Sequence, residues 1–400
     1  MTQVNIFWEG SQFVHHSMAV VNRECCAALS ESSEIDLTIV PFEPDIFEPG
    51  DDPKLLRLKS LDLRSKGLHP DRLKLHPTVW VRHRGPEIDG RRPPRGAKLI
   101  VVFPWEYSRL PLYYLNSLHQ ADEIWTPSTF SRSRMIDSGL PAEQVHVVPN
   151  GVDTQRFSPV GARLALPTSR RFRFLFVGAT VHYRKGVDVL LEAYSRAFTG
   201  RDDVCLVIKE TGAREIYHNK SAQPLIEQYI SREDSAEILY LPDYLRETEL
   251  AQLYRACDVF VSSYRGEGFS LPTLEAMSSG LPVIVPAGGA TDDFATTDCS
   301  WKIETQPRSI GTTIYNYPLD GEAFVLEPNV EHLVKLMRAA YDNREAVAQK
   351  GAAARTQAQR WTWHHAVGKV LQRVDALCAV TTAAHWQYFP SIDGIDTPLP

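Results

Sequence analysis

No apolar run in the 400-residue sequence approaches the ~18 residues that a membrane-spanning helix needs; the longest, around Leu99–Phe103 and Val283–Val285, are strand-sized. The opening Met1–Trp8 has neither a basic start nor a long apolar stretch, so it reads as a first strand and not as a secretion signal. Charge of one sign is scarce too. Lys and Arg number 43 against 49 Asp and Glu, a net −6, which gives no reason to expect a nucleic-acid partner. The six cysteines (Cys25, Cys26, Cys205, Cys257, Cys299 and Cys378) show no C-x-x-C spacing and mostly lie in apolar stretches. They are expected to be reduced, buried thiols of a cytosolic protein. The sequence also lacks G-x-x-x-x-G-K-[ST], H-E-x-x-H and G-x-S-x-G. The pairs His15-His16 and His364-His365 have no partners at metal-ligand spacing, and no D-x-D stands at a suitable strand end. No obligatory metal and no resident cofactor are therefore expected.

What is present is an alternation of short apolar runs with helical patterns. Ile35–Pro41, Thr78–Val81, Leu99–Phe103, Glu123–Thr126 and Val145–Val148 read as buried strands of a first half. Phe172–Val177, Val204–Lys209, Ile238–Leu241, Val259–Ser262 and Val283–Val285 read as strands of a second. Helices are expected between them, among others at Met18–Ser30, Val187–Ala197, Glu247–Ala256 and Leu274–Ser279. Such alternation predicts an α/β protein with parallel sheets covered on both faces. The pattern runs twice, on either side of the Pro-containing stretch Pro159–Ser169. Two Rossmann-like, doubly wound domains follow, residues 1–158 and 159–360, with 361–400 packing back on the first. Their ligand cleft should lie between them, at the carboxyl ends of the strands.

Residues 54–98 stand apart, with 13 Lys and Arg against 4 Asp and Glu, a local +9. They read either as a solvated insertion or as a surface for an anionic acceptor or membrane leaflet.

The most informative stretch runs from Ser263 to Val283. A strand ends near Ser263, a loop with Gly266 and Gly268 follows, and Pro272 suits the first position of a helix that Gly280 and Pro282 stop. The loop Gly266–Leu271 would then present backbone N–H groups at a helix N-terminus, a ready site for a diphosphate. Glu275, placed in the first helical turn, would lean toward the same cleft as Glu267. Two carboxylates flanking a diphosphate suit a sugar on one side and a ribose on the other. The same spacing also fits Glu275 as a first-turn acid on the helix dipole and Glu267 as a solvated loop residue.

The run Glu-Gly-Phe-Ser-Leu-Pro-Thr-Leu-Glu-Ala-Met from Glu267, followed by Gly-Leu-Pro-Val, resembles the E-x7-E signature of glycosyltransferase family 4. Further stretches resemble that family in the same order: Thr126-Pro127-Ser128, Val148–Asp153, Phe176-Val177-Gly178, Arg184–Asp188, Leu190–Tyr194 and Ala256–Phe260. The resemblance implies a GT-B fold and retaining transfer from a nucleotide sugar. It implies that Glu267 binds donor-sugar hydroxyls and Glu275 the ribose. Gly268, Phe269, Ser270 and Leu271 would face the distal phosphate, and Lys185 would neutralise the diphosphate. Ala179 follows Gly178 where the family often has an arginine, so Arg184 is the candidate second cation. The loops at Lys209–Gly212 and Tyr240–Tyr244 would line the nucleobase pocket.

The first domain departs more from the family. Gly10 stands where the family has a glycine-rich loop and could admit a diphosphate. No histidine follows Phe103; Pro104-Trp105-Glu106 does, so Glu106 is a candidate for contact with donor sugar or acceptor, and His83 is another. Trp8, Trp105 and Tyr107 fit either a sugar-binding wall or core. Asp292 and Asp293, beside Gly288-Gly289, read either as a structural turn or as a contact to ligand. The expected function is retaining transfer of a hexose from a UDP- or GDP-linked donor to a glycan or lipid-linked acceptor. The expected place is the cytoplasm, with peripheral contact at the inner membrane face through 54–98. A GT-B sugar-nucleotide epimerase and a silent nucleotide-sugar-binding protein are the alternatives.

Overall fold

The computed structural model describes residues 4–63, 65, 66, 76, 78–85, 93, 96–180, 183–211 and 221–385. The first domain carries β1 (Val4–Glu9), α1 (Ser17–Leu29), β2 (Ile35–Val40), α2 (Pro53–Ser60), β3 (Thr78–Arg82), β4 (Lys98–Val102), α3 (Leu112–Leu118), β5 (Glu123–Thr126), α4 (Thr129–Asp137) and β6 (Val145–Val147). Its six strands are all parallel, in the order 2-1-3-4-5-6. Every residue of β1 is buried, as the near-continuous apolar run of a strand covered on both faces requires.

The second domain carries β7 (Phe172–Gly178), α5 (Val187–Ala197), β8 (Val204–Glu210), α6 (Gln223–Ile230), β9 (Glu237–Leu241), α7 (Glu247–Arg255), β10 (Val259–Val261), α8 (Leu271–Ser278), β11 (Val283–Pro286) and β12 (Ser300–Ile303). Its sheet runs β12-β11-β10-β7-β8-β9. Counted within the domain this is the doubly wound order 3-2-1-4-5-6, whose direction of winding reverses between β7 and β10. Ligand crevices form at such switch points, which directs attention to the loops after these two strands.

Helices α9 (Val330–Asp342) and α10 (Arg344–Ala358) finish the second domain, and α11 (Trp363–His385) crosses back. Its Trp363, Ala366, Val367, Val370 and Val374 share a core with Ile6, Trp8 and Val21 of the first domain. Arg373 of α11 pairs with the buried Glu123 carboxylate on β5. No helix of the described residues is long and apolar enough to cross a membrane. The described cysteines carry no disulfide, and five of the six are buried.

Two features differ from the sequence expectation. Helix α8 begins at Leu271, three residues earlier than the pattern indicates, so Pro272 is its second residue and Glu275 its fifth. The first turn of α8 therefore carries no acid, which removes the helix-dipole account of Glu275. The second feature is an antiparallel hairpin, β13 (Thr305–Ile314) and β14 (Tyr317–Pro328), with no counterpart in the sequence reading. Its strands are mostly polar and exposed, and Pro307 and Gly311 interrupt β13. Those signals argue against strands in isolation.

The hairpin exists because the first domain completes it. Ile314, Leu319 and Ala323 are buried in a cluster with Phe103, Trp105 and Leu110. Leu319 bridges to Pro111, and the Phe324 amide donates to Ser108 Oγ at 2.7 Å. The second domain thus grips the first through an arm of its own.

Candidate active site

The loops after β7 and β10 are tied to each other before any side-chain charge is considered. The Arg265 and Gly266 amides donate to the Arg184 carbonyl at 2.6 and 3.3 Å, and Ser263 Oγ donates to the Gly186 carbonyl at 2.7 Å. This closeness places Arg184 and Lys185, in a short 3-10 turn, against Glu267. Lys185 Nζ lies on one Glu267 oxygen, and Arg184 Nη1 is 3.2 Å from the other. Arg184 Nη2 reaches Glu106 Oε1 of the first domain at 3.1 Å. Four largely buried charges therefore form a chain, Lys185–Glu267–Arg184–Glu106, which spans the two domains.

Their titration follows from that chain. Burial alone would raise the Glu267 carboxyl, but Lys185 and Arg184 overturn it and hold the group below its ordinary value. Burial lowers the Lys185 ammonium, with the adjacent Glu267 only partly offsetting it. Arg184 is also desolvated, yet Glu106 and Glu267 outweigh this and push its pKa up. Arg184 is the fixed charge of the chain and Lys185 the adjustable one.

Gly266 and Gly268 are needed where the domains meet. A Cβ on Gly266 would stand 2.3 Å from the Glu106 carbonyl oxygen, and one on Gly268 would stand 2.8 Å from Pro104. Beyond them Ser270 takes a left-handed φ of 75°, its hydroxyl 2.8 Å from Thr273 Oγ1. A non-glycine residue held there stores backbone strain of about 1–3 kcal/mol. The backbone N–H groups of Gly268, Phe269 and Ser270 find no acceptor among the described residues. They follow Glu267 directly in the chain and lead into the N-terminus of α8. The Phe269 ring is buried against Phe294 and Trp361, which anchors the loop.

Glu275, in the second turn of α8, accepts from the Tyr254 hydroxyl at 2.8 Å. Burial pushes its carboxyl up to about 7, with Tyr254 and Arg156 opposing and Glu247 adding to the rise.

Two matching stretches cover this geometry. Residues 63–156 match the model of "Glycosyltransferase Family 4", and residues 171–306 match that of "Glycosyl transferases group 1". The chain belongs to glycosyltransferase family 4. Among curated relatives, it is 33% identical over 181 residues to the MMP alpha-(1->4)-mannosyltransferase of Mycolicibacterium hassiacum, covering 45% of this chain and 40% of that protein. It is 31% identical over 254 residues to the GDP-mannose-dependent alpha-mannosyltransferase of Mycobacterium tuberculosis, covering 62% and 59%. The chain thus spans less than two thirds of these relatives' length. The sucrose-phosphate synthase structure from Thermosynechococcus elongatus shares its fold at TM-score 0.67 and 15% identity, covering 94% of this chain and 100% of the other. The Anabaena HepE structure in complex with UDP does so at 0.62 and 13%, covering 93% and 100%. The family 4 matches include Glu106, Arg184, Lys185, Glu267 and Glu275, and they stop before most of the hairpin.

Other candidate residues stand elsewhere. Gly10 does not open toward a ligand: its amide donates to the Val40 carbonyl at 3.0 Å, and a Cβ there would meet Asn22 Nδ2 at 2.4 Å and the His83 carbonyl at 2.8 Å. It is a glycine because Asn22 fills its side-chain space. His83 is buried with Nδ1 2.7 Å from Asn22 Oδ1, and burial pushes its pKa down to about 4, leaving a neutral ring inside the first domain. Lys209 is buried with Nζ on the Glu210 carbonyl. Trp8 and Trp105 are core residues, bonded to Asn22 Oδ1 at 2.8 Å and to the Arg109 carbonyl at 3.0 Å. His16 caps α1, accepting from the Ala19 amide.

In the basic segment, Lys54, Lys59, Lys66, Arg82, Arg84 and Lys98 pair with Glu24, Asp45, Asp36, Glu9, Glu9 and Asp122. Their charge is met within the protein. Arg64, Arg72, Lys74, Arg91, Arg92 and Arg95 lie outside the described residues, as do Gly212 and the tail from Trp386.

One participant carries no assignment in the sequence reading, and a second, Asp293, is read there only as part of a turn or as a ligand contact. Arg265 is buried in the signature loop, forked onto Asp188 (2.8 and 2.8 Å) and Glu327 (2.7 and 2.8 Å), so it fastens the loop to α5 and to the hairpin base. A charged residue between Tyr264 and Gly266 in a buried loop is the signal that could have found it. Asp293 accepts from the Thr129 amide at 2.8 Å and caps α4 across the domain boundary. Its contact depends on the tertiary approach of two distant segments.

Proposed function

We propose that the chain is a retaining glycosyltransferase that moves a hexosyl unit from a UDP- or GDP-linked sugar to a hydroxyl of a glycan or lipid-linked acceptor. The observation that carries this is the Lys185–Glu267–Arg184–Glu106 chain beside the unclaimed amides of Gly268, Phe269 and Ser270. Cations and amides converge where a diphosphate would sit, and a carboxylate stands where sugar hydroxyls would donate. The names of the mannosyltransferase relatives make GDP-mannose the first donor to try.

On binding, the sugar hydroxyls replace part of Glu267's claim on Lys185 and Arg184. Those cations are then free to meet the diphosphate. The glycosidic carbon–oxygen bond to phosphate breaks as the acceptor oxygen bonds to the same carbon from the same face. The acceptor proton passes to the departing phosphate oxygen. Fixed positive charge at that oxygen lowers the barrier, and holding both substrates in register supplies most of the remainder.

Binding and acceptor-free hydrolysis of GDP-mannose, GDP-glucose, UDP-glucose and UDP-N-acetylglucosamine test the reading. One donor should bind and turn over slowly, and Glu275→Ala should weaken its affinity by about 10-fold or more, the effect of removing a hydrogen bond to a charged acceptor. Binding of no donor, or equal binding by the variant, would refute it. An epimerase would instead release an altered nucleotide sugar.

Glu275 also gives the donor affinity a pH dependence. The ribose hydroxyls need an ionised acceptor, and the group titrates near 7, so affinity should fall as pH drops from about 8 to 6. Stability should change the other way. The folded pKa lies above the ordinary glutamate value of 4.5, so between about 4.5 and 7 the folded state holds the proton more tightly, and this group's contribution declines as pH rises. Glu275→Gln should flatten both slopes; a donor pH profile identical to wild type would assign the titration to another group.

A further inference from the structure

The hairpin β13–β14 extends past residue 306, where the second family match ends, so its tip belongs to this chain and not to the matched segment. The turn is Tyr315-Asn316, with left-handed φ of 51° and 68° at its two central positions. Such a turn is most relaxed as Asn-Gly. A bulky aromatic residue at positive φ is a poor backbone choice, so the position is better explained by its side chain.

Tyr315 is 51% exposed as a residue, and its ring meets Tyr107 edge to face with centroids 5.9 Å apart. Tyr107 directly follows Glu106, the first-domain end of the ion chain, whose carboxylate holds Arg184 at 3.1 Å. The pair of phenols therefore adjoins the end of the site opposite Lys185. The tip is also held in place. Tyr317 stacks on Tyr113 at 5.2 Å and 8°, and Leu319 and Ile314 are buried against the first domain.

We propose that Tyr107 and Tyr315 form one wall of the acceptor subsite and pack against the C–H face of a sugar ring, so that the acceptor is a glycoside. A pyranose presents apolar C–H groups on its face and hydroxyls at its rim, and phenols offer a ring beside a polar edge in the same order. The Glu106 carboxylate beside the phenols also disfavours a phosphate-bearing group there, since like charges repel. The proposal rests on the transferase reading above and adds the class of acceptor.

Tyr315→Asn tests it, because asparagine tolerates positive φ and the variant should keep or gain thermal stability. The probes are methyl α-D-mannopyranoside and methyl α-D-glucopyranoside, with glycerol 3-phosphate as a ringless control, each offered with the donor that the protein hydrolyses. Wild type should transfer to a methyl glycoside. In Tyr315→Asn the glycoside KM should rise and the ratio of transfer to hydrolysis fall by about 10-fold, with Tyr315→Phe restoring both to within about 2-fold. Three results would overturn the proposal alone while donor hydrolysis persists: an unchanged glycoside KM in Tyr315→Asn, no use of either glycoside, or preference for glycerol 3-phosphate. Hydrolysis of no donor would overturn the transferase reading, and this proposal with it.

Discussion

Lys185→Ala is expected to lower kcat for both transfer and donor hydrolysis by about 10²–10³-fold, the usual cost of losing one preorganised group at a developing charge. The ammonium lies against Glu267 in the resting site, and the unclaimed amides of Gly268–Ser270 begin at the next residue. Its charge matters most when the leaving diphosphate gains negative charge. The loss should therefore fall mainly on kcat, with a smaller change in nucleotide affinity. The fold should survive, because Glu267 keeps Arg184 as a partner at 3.2 Å.

The same residue sets an alkaline limit. Burial lowers the Lys185 ammonium below ordinary lysine, and only the protonated form serves the diphosphate. Activity should therefore decline with rising pH earlier than an exposed lysine would allow. Lys185→Arg retains its charge throughout and should remove that limb even if its longer, planar group lowers the rate. A Lys185→Ala enzyme within about 3-fold of wild type would place the leaving-group charge on other residues.

The sequence exposes those parts of the molecule that local chemistry determines. Buried parallel strands such as Phe172–Gly178 and Val204–Glu210 are almost continuous apolar runs, so they are visible without neighbours. The loop from Gly266 to Ser270 is visible because two glycines, a proline and a carboxylate fall where a strand gives way to a helix. Glu106 is findable for a similar reason, since it follows a strand end.

What escapes the sequence depends on approach between distant segments. Gly10 follows a strand as a phosphate-binding glycine would, yet the Asn22 side chain occupies the space beside it. Sequence position cannot separate the two uses of a missing Cβ. Helix α8 starts early because Ser270 is held in a strained left-handed conformation, which local propensity opposes. The hairpin is the extreme case. Its polar strands carry Pro307 and a bulge at Gly311, and they gain an apolar partner surface from Phe103, Trp105, Leu110, Pro111 and Tyr113 of another domain.

Glu267→Gln should have opposite effects on stability and on ligand affinity. The carboxylate separates two buried cations, so its neutralisation leaves Lys185 and Arg184 with Glu106 as the one counter-charge in the chain. Breaking a buried ion pair on one side costs about 3 kcal/mol or more, a fall in Tm on the order of 10 °C in a domain of this size. Transfer should be lost as well, since the amide accepts sugar hydroxyls less strongly than a carboxylate. Yet a free nucleoside diphosphate brings the missing negative charge to the same two cations. GDP or UDP should bind the variant more tightly than wild type, and at a fixed concentration should raise its Tm by more, because stabilisation follows RT ln(1 + [L]/Kd). Calorimetric titration and thermal melts with and without GDP and UDP read both signs. Weaker binding of both nucleotides by the variant would mean that Glu267 holds the cations in place for the diphosphate and does not compete with it.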